Sequence, residues 1–301
     1  MNKCVSIISM FLLATICSTL IAQNNSHPYS SKKPIPVPIV FAEGIISVPG
    51  VFGSTFTPDG KTIYFAKTDT VARKSAIMKS TFMNDRWSTP VVAEFSGEYR
   101  EGDPFISPDG SKIFIWSNRP TDGSSKRAKM PNIWMFEKTT NGFGNPTFLG
   151  NKLKVRIAGA PTISSKGTLY FFVDDRKDTT KSSDIYKADL FNTDSIIVTR
   201  LSDTINSGER EFDSYIAPDE SYIIFSRSEQ LGKSDLYISY NKNGVWSTPV
   251  NLGAQINSPG YEFCPIISPD GNYLFFTSDR SGKSLIYQVD KGVLPKPPNA
   301  E

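Results

Sequence analysis

The sequence predicts an all-β protein, a five-bladed β-propeller with four antiparallel strands per blade. The phrase Ile-Ser-Pro-Asp-Gly occurs at Ile106–Gly110 and again at Ile267–Gly271, with relaxed copies at Phe56–Gly60, Ile163–Gly167 and Ile216–Glu220. The copies stand 50, 57, 53 and 51 residues apart, measured at Pro58, Pro108, Ser165, Pro218 and Pro269. Periods of this length indicate repeated supersecondary units rather than one irregular domain. A short apolar run follows every copy, and four-stranded units arranged around an axis make propeller blades.

Each unit reads in the same order. A bulky apolar residue opens the phrase (Phe56, Ile106, Ile163, Ile216, Ile267), as a buried inner strand requires. Pro suits the second position of a type I turn, and Asp and Gly the positions after it, so the phrase is a tight hairpin. The second strands are then Thr62–Ala66, Lys112–Trp116, Leu169–Val173, Tyr222–Phe225 and Tyr273–Phe276. Third strands follow at Ser75–Met78, Asn132–Phe136, Asp184–Ala188, Asp235–Ser239 and Ser284–Val289. The fourth is announced by Trp87-Ser88-Thr89-Pro90, Phe143-Gly144-Asn145-Pro146 and Trp246-Ser247-Thr248-Pro249. Proline cannot donate to a ladder, so this is an edge strand. The last unit runs out after its third strand, while Pro38–Ala42 stands before Pro58 at the spacing that separates Pro249 from Pro269. The expectation is that this N-terminal strand completes the last blade and closes the ring, which removes an edge open to pairing with other chains.

The repeat resembles the Pro-Asp-containing, WD-like repeat of TolB-like propellers, through the Ser-Pro-Asp-Gly phrases and strand endings such as Phe276-Thr277-Ser278-Asp279-Arg280, over roughly residues 36–290. TolB itself usually has six blades and an extra N-terminal domain, neither visible here, so the resemblance implies a fold and no particular activity.

Met1-Asn2-Lys3 followed by the apolar stretch Val5–Ala22 reads as a secretory signal peptide over residues 1–22. Cys17 would allow lipidation, but Ile16 before it fits that signal poorly. Membrane association is expected only if the chain is lipidated. Residues 23–35 read as a linker, 36–290 as the propeller and 291–301 as a flexible tail. Cleavage would leave Cys264 as the sole cysteine, at the register of Asp103 and Asp213, where a buried inert thiol is expected. The net charge of +3 is too mild to imply nucleic acid as a partner. A monomer is expected, in the periplasm, at the outer envelope of a Gram-negative bacterium, or extracellular.

Alignment on the turn phrase puts Glu101, Glu211 and Glu262 at one register and Asp103 and Asp213 two residues on, near the axis. Arg100, Arg210, Tyr99 and Tyr261 stand beside them. Longer loops on the same face carry Arg119, Arg127, Arg176 and Arg280, a basic rim suited to an anionic or polar partner. The only histidine, His27, lies before the repeats, which removes a Ser-His-Asp triad or a His-bound metal from the propeller. No cofactor or metal is assigned, although an axial metal without catalysis is a third reading. The favoured expectation is a non-catalytic interaction module that binds an envelope protein or a polysaccharide. The alternative is a glycoside hydrolase using Glu101, Asp103, Glu211, Asp213 or Glu262, since paired axial carboxylates suit that chemistry.

Overall fold

A computed structural model describes residues 27–121, 126–155, 157–174, 183–191, 196–230 and 233–298. The proposed signal peptide, Cys17 and Arg176 lie outside these residues. Five separate antiparallel sheets account for nearly all the regular structure. Running outward from the axis, the first blade is Val51–Phe56, Thr62–Asp69 and Lys74–Met83, then Arg86–Trp87 and Val91–Val92. The second is Glu101–Ile106, Lys112–Ser117, Asn132–Thr139 and Gly142–Phe148. The third is Ala158–Ile163, Thr168–Val173, Asp184–Asp189 and Val198–Arg200. The fourth is Arg210–Ile216, Tyr222–Gln230 and Lys233–Lys242, with Val245–Trp246 and Val250–Asn251 outermost. The fifth is Glu262–Ile267, Tyr273–Ser278 and Leu285–Asp290, against which Ile39–Val40 pairs antiparallel.

The repeated phrase makes the hairpin between first and second strands as expected. Ser107 Oγ donates to Asp109 Oδ1 at 2.5 Å, and Asp109 accepts from Ser111 N at 3.0 Å; Thr57–Asp59 and Ser268–Asp270 repeat the first contact. Blades three and four depart most from the phrase, and their turns bond to each other. Glu220 takes the left-handed position filled elsewhere by glycine (φ 64°) and accepts from Ser164 Oγ at 2.8 Å, while Ser165 N donates to Pro218 O. Phe56, Ile106, Ile163, Ile216 and Ile267 are all buried between blades. Each such side chain contributes about 1.5–3 kcal/mol through removal from water.

The Trp-Ser-Thr-Pro motif differs from its expected role. It is a break between two short outer strands rather than the start of one. Ser88 and Ser247 stand in the gap, each accepting from the third strand, Thr81 N at 3.1 Å and Tyr240 N at 3.0 Å, and the proline needs no partner there.

The segments expected as linker and tail are packed where they are described. Tyr29 and Ile35 are buried; Gln288 Nε2 donates to Tyr29 O at 2.7 Å and Ile35 N to Asp290 Oδ2 at 2.7 Å. Tyr29 also meets the rings of Phe56 (4.9 Å) and Phe275 (5.8 Å), so an aromatic core forms where the termini meet. At the other end Leu294 is buried, Lys291 lies over the Tyr222 ring at 4.9 Å, and the Tyr240 hydroxyl donates to Pro295 O. In each segment the few apolar residues lie against a blade surface.

Candidate functional site

Glu101, Glu211 and Glu262 have no exposed surface. Each pairs with an arginine of its own blade: Arg119 at 2.6 Å and Arg280 at 3.4 Å, both just past the second strand, and Arg227 at 2.7 Å, within it. The same guanidiniums donate to Phe95 O, Ile205 O and Ile256 O in the connection from the previous blade. They also lie over third-strand rings, Phe136 at 4.9 Å, Tyr237 at 4.8 Å and Tyr287 at 4.8 Å. Ser117 and Ser278 complete the cradle by donating to Glu101 (3.3 Å) and Glu262 (2.6 Å). In blade four Arg227 itself stands opposite Glu211, where the other two blades have Ser117 and Ser278, and Glu211 Oε2 has no hydrogen-bond partner among the described residues. Burial pushes the Glu211 carboxyl up, and Ser207 and Arg227 pull it partly back. The unit is a latch that ties blades two, four and five to the incoming chain. Val51 and Ala158 hold the register in blades one and three, which have no such carboxylate.

Two residues further on, every inner strand carries one extra residue against its partner strand, a β-bulge. The bulged residues are Gly53, Asp103, Ala160, Asp213 and Cys264, all with φ between 44° and 52°. Pro104, Pro161 and Pro265 follow three of them, and a bulge is one of the few places in a sheet where proline fits. The bulges converge on the axis and form a waist. There the Cys264 sulfur lies 3.4 Å from Asp103 Oδ1 and 3.3 Å from Asp213 Oδ2. Burial raises the pKa of Asp103 well above the carboxylate range, the neighbouring Asp213 charge adds to this, and donors from Cys264, Trp116 and the Ala160 backbone oppose it. Asp213 is raised by burial and lowered in part by Cys264 and Arg210. Burial and the two carboxyls also push the Cys264 thiol up, consistent with the inert thiol expected from the sequence.

Above the waist opens a funnel of about 590 Å³, with Asp103 and Asp213 on its floor. Its wall is aromatic in every blade, by two routes. Blades one, four and five put Phe52, Phe212 and Phe263 on the inner strand, opposite the small Ala66, Ser226 and Thr277. Blades two and three put Gly102 and Gly159 there, opposite Trp116 and Phe172. A Cβ on Gly102 would come within 2.7 Å of the Trp116 ring, and one on Gly159 within 2.6 Å of Phe172. The glycines therefore let the second-strand ring cover the place a phenylalanine fills elsewhere. Tyr261 bridges Phe212 (5.8 Å) and Phe263 (5.3 Å), and Phe263 reaches Phe52 (6.4 Å). Arg100 stacks over Trp116 at 5.3 Å and Arg210 over Phe212 at 5.1 Å.

Of the residues singled out from the sequence, Arg100, Asp103, Arg210, Asp213 and Tyr261 line this funnel together. Glu101, Glu211, Glu262, Arg119 and Arg280 sit in the latches, with Tyr99 under Arg119 at 5.3 Å. Arg127 lies outside the funnel lining and donates to Glu98 O at 3.3 Å. The aromatic wall escaped sequence reasoning. Its signal was present in the aligned column Phe52, Gly102, Gly159, Phe212 and Phe263, where two glycines replace aromatics. No group of three or more His, Cys, Asp and Glu side chains among the described residues is arranged to hold a metal.

No protein-family model and no curated protein matches the chain. Solved structures resemble it in fold. TolB from Acinetobacter baumannii aligns at 16% identity over 81% of this chain and 55% of its own, with a TM-score of 0.49. A putative TolB from Agrobacterium tumefaciens aligns at 18% identity over 76% and 70%, with a TM-score of 0.52. A thermostable family-43 glycoside hydrolase aligns at 13% identity over 86% and 99%, with a TM-score of 0.54. The chain thus spans about half the length of the Acinetobacter TolB. In architecture it is a TolB-like β-propeller.

Proposed function

We propose that the protein is an exported binding module of the cell envelope, and that its funnel takes a segment of a glycan without cleaving it. The observation that carries this reading is the continuous aromatic wall above a polar floor. Small-ligand sites are typically concave, about 300–1,000 Å³, largely apolar and aromatic, with a few placed polar groups. Rings that are half-exposed, as Phe52, Trp116, Phe172 and Phe263 are, offer flat faces to sugar rings. Arg100, Arg210, Asp103 and Asp213 supply donors and acceptors for hydroxyl groups. Export rests on the apolar leader at residues 5–22.

Glycoside hydrolysis is the second reading, favoured by two carboxyls with raised pKa on the funnel floor. A catalytic pair must flank the scissile bond, about 5–5.5 Å apart for retention or 6.5–9.5 Å for inversion. What lies between Asp103 and Asp213 is the Cys264 sulfur, in contact with both. The place a glycosidic bond would need is therefore filled. Calorimetric titration with oligosaccharides from bacterial envelope and plant cell-wall polymers, with released reducing ends assayed in the same mixtures, tests both readings. Saturable heat without product supports binding. Product that disappears in Asp103→Asn would replace it with hydrolysis.

A further inference from the structure

At the waist, below the funnel, lies a void of about 20 Å³ lined by Asp103, Asp213, Thr162, Ser214 and Cys264, among others. That is room for one particle the size of a water molecule. Thr162 Oγ1 and Ser214 Oγ are both buried and have no hydrogen-bond partner among the described residues. Each orphaned hydroxyl costs about 1–3 kcal/mol if left so. The carboxyls accept from neutral donors, Asp103 from Cys264, Trp116 and the Ala160 backbone and Asp213 from Cys264. Cys264 touches both, but one S–H can donate to only one carboxylate at a time. Arg210 acts on Asp213 from the funnel side.

We propose that the waist is a site for one hard divalent cation, held by the carboxylates of Asp103 and Asp213 and the hydroxyl oxygens of Thr162 and Ser214. A single water would satisfy the two hydroxyls but would give the two carboxyls no counter-charge. A divalent ion satisfies all four oxygen groups and balances two carboxylates. Calcium and magnesium take oxygen ligands of these kinds, supplemented by backbone carbonyls. Softer metals favour thiolate, whereas four of the polar groups lining this void offer oxygen. The site lies beneath the funnel and does not depend on the funnel's ligand being a glycan.

The test is calorimetric titration of the purified, EDTA-treated protein with Ca2+ and, separately, Mg2+ near neutral pH in Tris and in HEPES. The expected result with at least one of the two is one ion per chain and a thermal midpoint that rises with occupancy. Proton release, read as a buffer-dependent heat, is also expected, because carboxyls that bind a metal must give up protons. Affinity should fall by about tenfold or more in Asp103→Asn and Asp213→Asn, the scale seen even for supporting residues of metal sites. Thr162→Ala and Ser214→Ala, which keep the charge, should weaken it measurably and stand in if the Asn variants do not fold. No binding of either ion would overturn the proposal. So would affinity unchanged in folded variants, or a crystal structure grown with Ca2+ and Mg2+ that shows only water between Thr162 and Ser214.

Discussion

The Arg119 guanidinium lies 2.6 Å from a Glu101 carboxylate that has no exposed surface, and an arginine pairs with the buried glutamate in blades four and five as well. Removing one partner of such a pair strands a buried charge and typically costs about 3–5 kcal/mol, whereas replacing both with apolar groups is far milder. Arg119→Met should therefore lower unfolding free energy by about 3–5 kcal/mol in urea titration. The double variant Glu101→Leu/Arg119→Met should recover much of the loss. If the single and double variants are equally destabilised, the pair is not the unit of stability.

The Gly102 and Trp116 pairing makes a sharper demand. Gly102→Ala places a methyl within 2.7 Å of the indole, and the ring must move. Overpacking of this kind costs about 1–3 kcal/mol, and funnel binding should weaken with it. Gly208→Ala, whose Cβ would meet nothing within 4 Å, is the matched control and should change neither. Thermal midpoints and ligand titrations of the two variants side by side provide the check.

Asp103 and Asp213 carry raised pKa values in the folded protein, chiefly through burial. Between the unfolded and folded values of such a carboxyl, the folded state holds more protons than the unfolded one. The stability this contributes is present below the ordinary carboxylate range and is lost as pH rises through the folded values. Metal-free protein should thus lose stability as pH climbs from the carboxylate range towards neutrality. Asp103→Asn should flatten that slope, as read from urea unfolding at a series of pH values.

The N-terminal segment is expected to close the ring. Deleting residues up to Ala42 would uncover the edge of Leu285–Asp290, with which Ile39–Val40 pairs, and remove the buried Tyr29, Ile35 and Phe41. The shortened chain should unfold at much lower denaturant and associate through the bare edge. Unchanged stability and a clean monomer in analytical ultracentrifugation would mean that closure lies elsewhere.

The repeat was legible because the hairpin turn repeats its chemistry: proline, aspartate and a left-handed residue are dictated locally at Pro108, Asp109 and Gly110. The axial register of Asp103, Asp213 and Cys264 could also be read, since it is a fixed distance from that turn. Whether Glu101 faced the axis or a latch could not be read from register alone. Glu101 precedes the bulge at Asp103, so its side cannot be counted back from the turn: the extra residue of a bulge interrupts the alternation of side chains. The aromatic wall was hidden because Gly102 and Trp116 share one role from two strands. Tyr29 and Ile35 were missed because burial by a distant blade leaves no periodicity in so short a segment.

The most direct measurement is equilibrium titration of the wild-type protein and Trp116→Ala with envelope-derived oligosaccharides, following tryptophan fluorescence and heat together. A saturable signal in the wild type that weakens by about tenfold or more in Trp116→Ala, the scale of one lost aromatic contact of about 1.5 kcal/mol, is the expected result. Equal affinity in both proteins, or binding lost on mutating Arg127 outside the funnel but kept in Trp116→Ala, would contradict the funnel as the binding site.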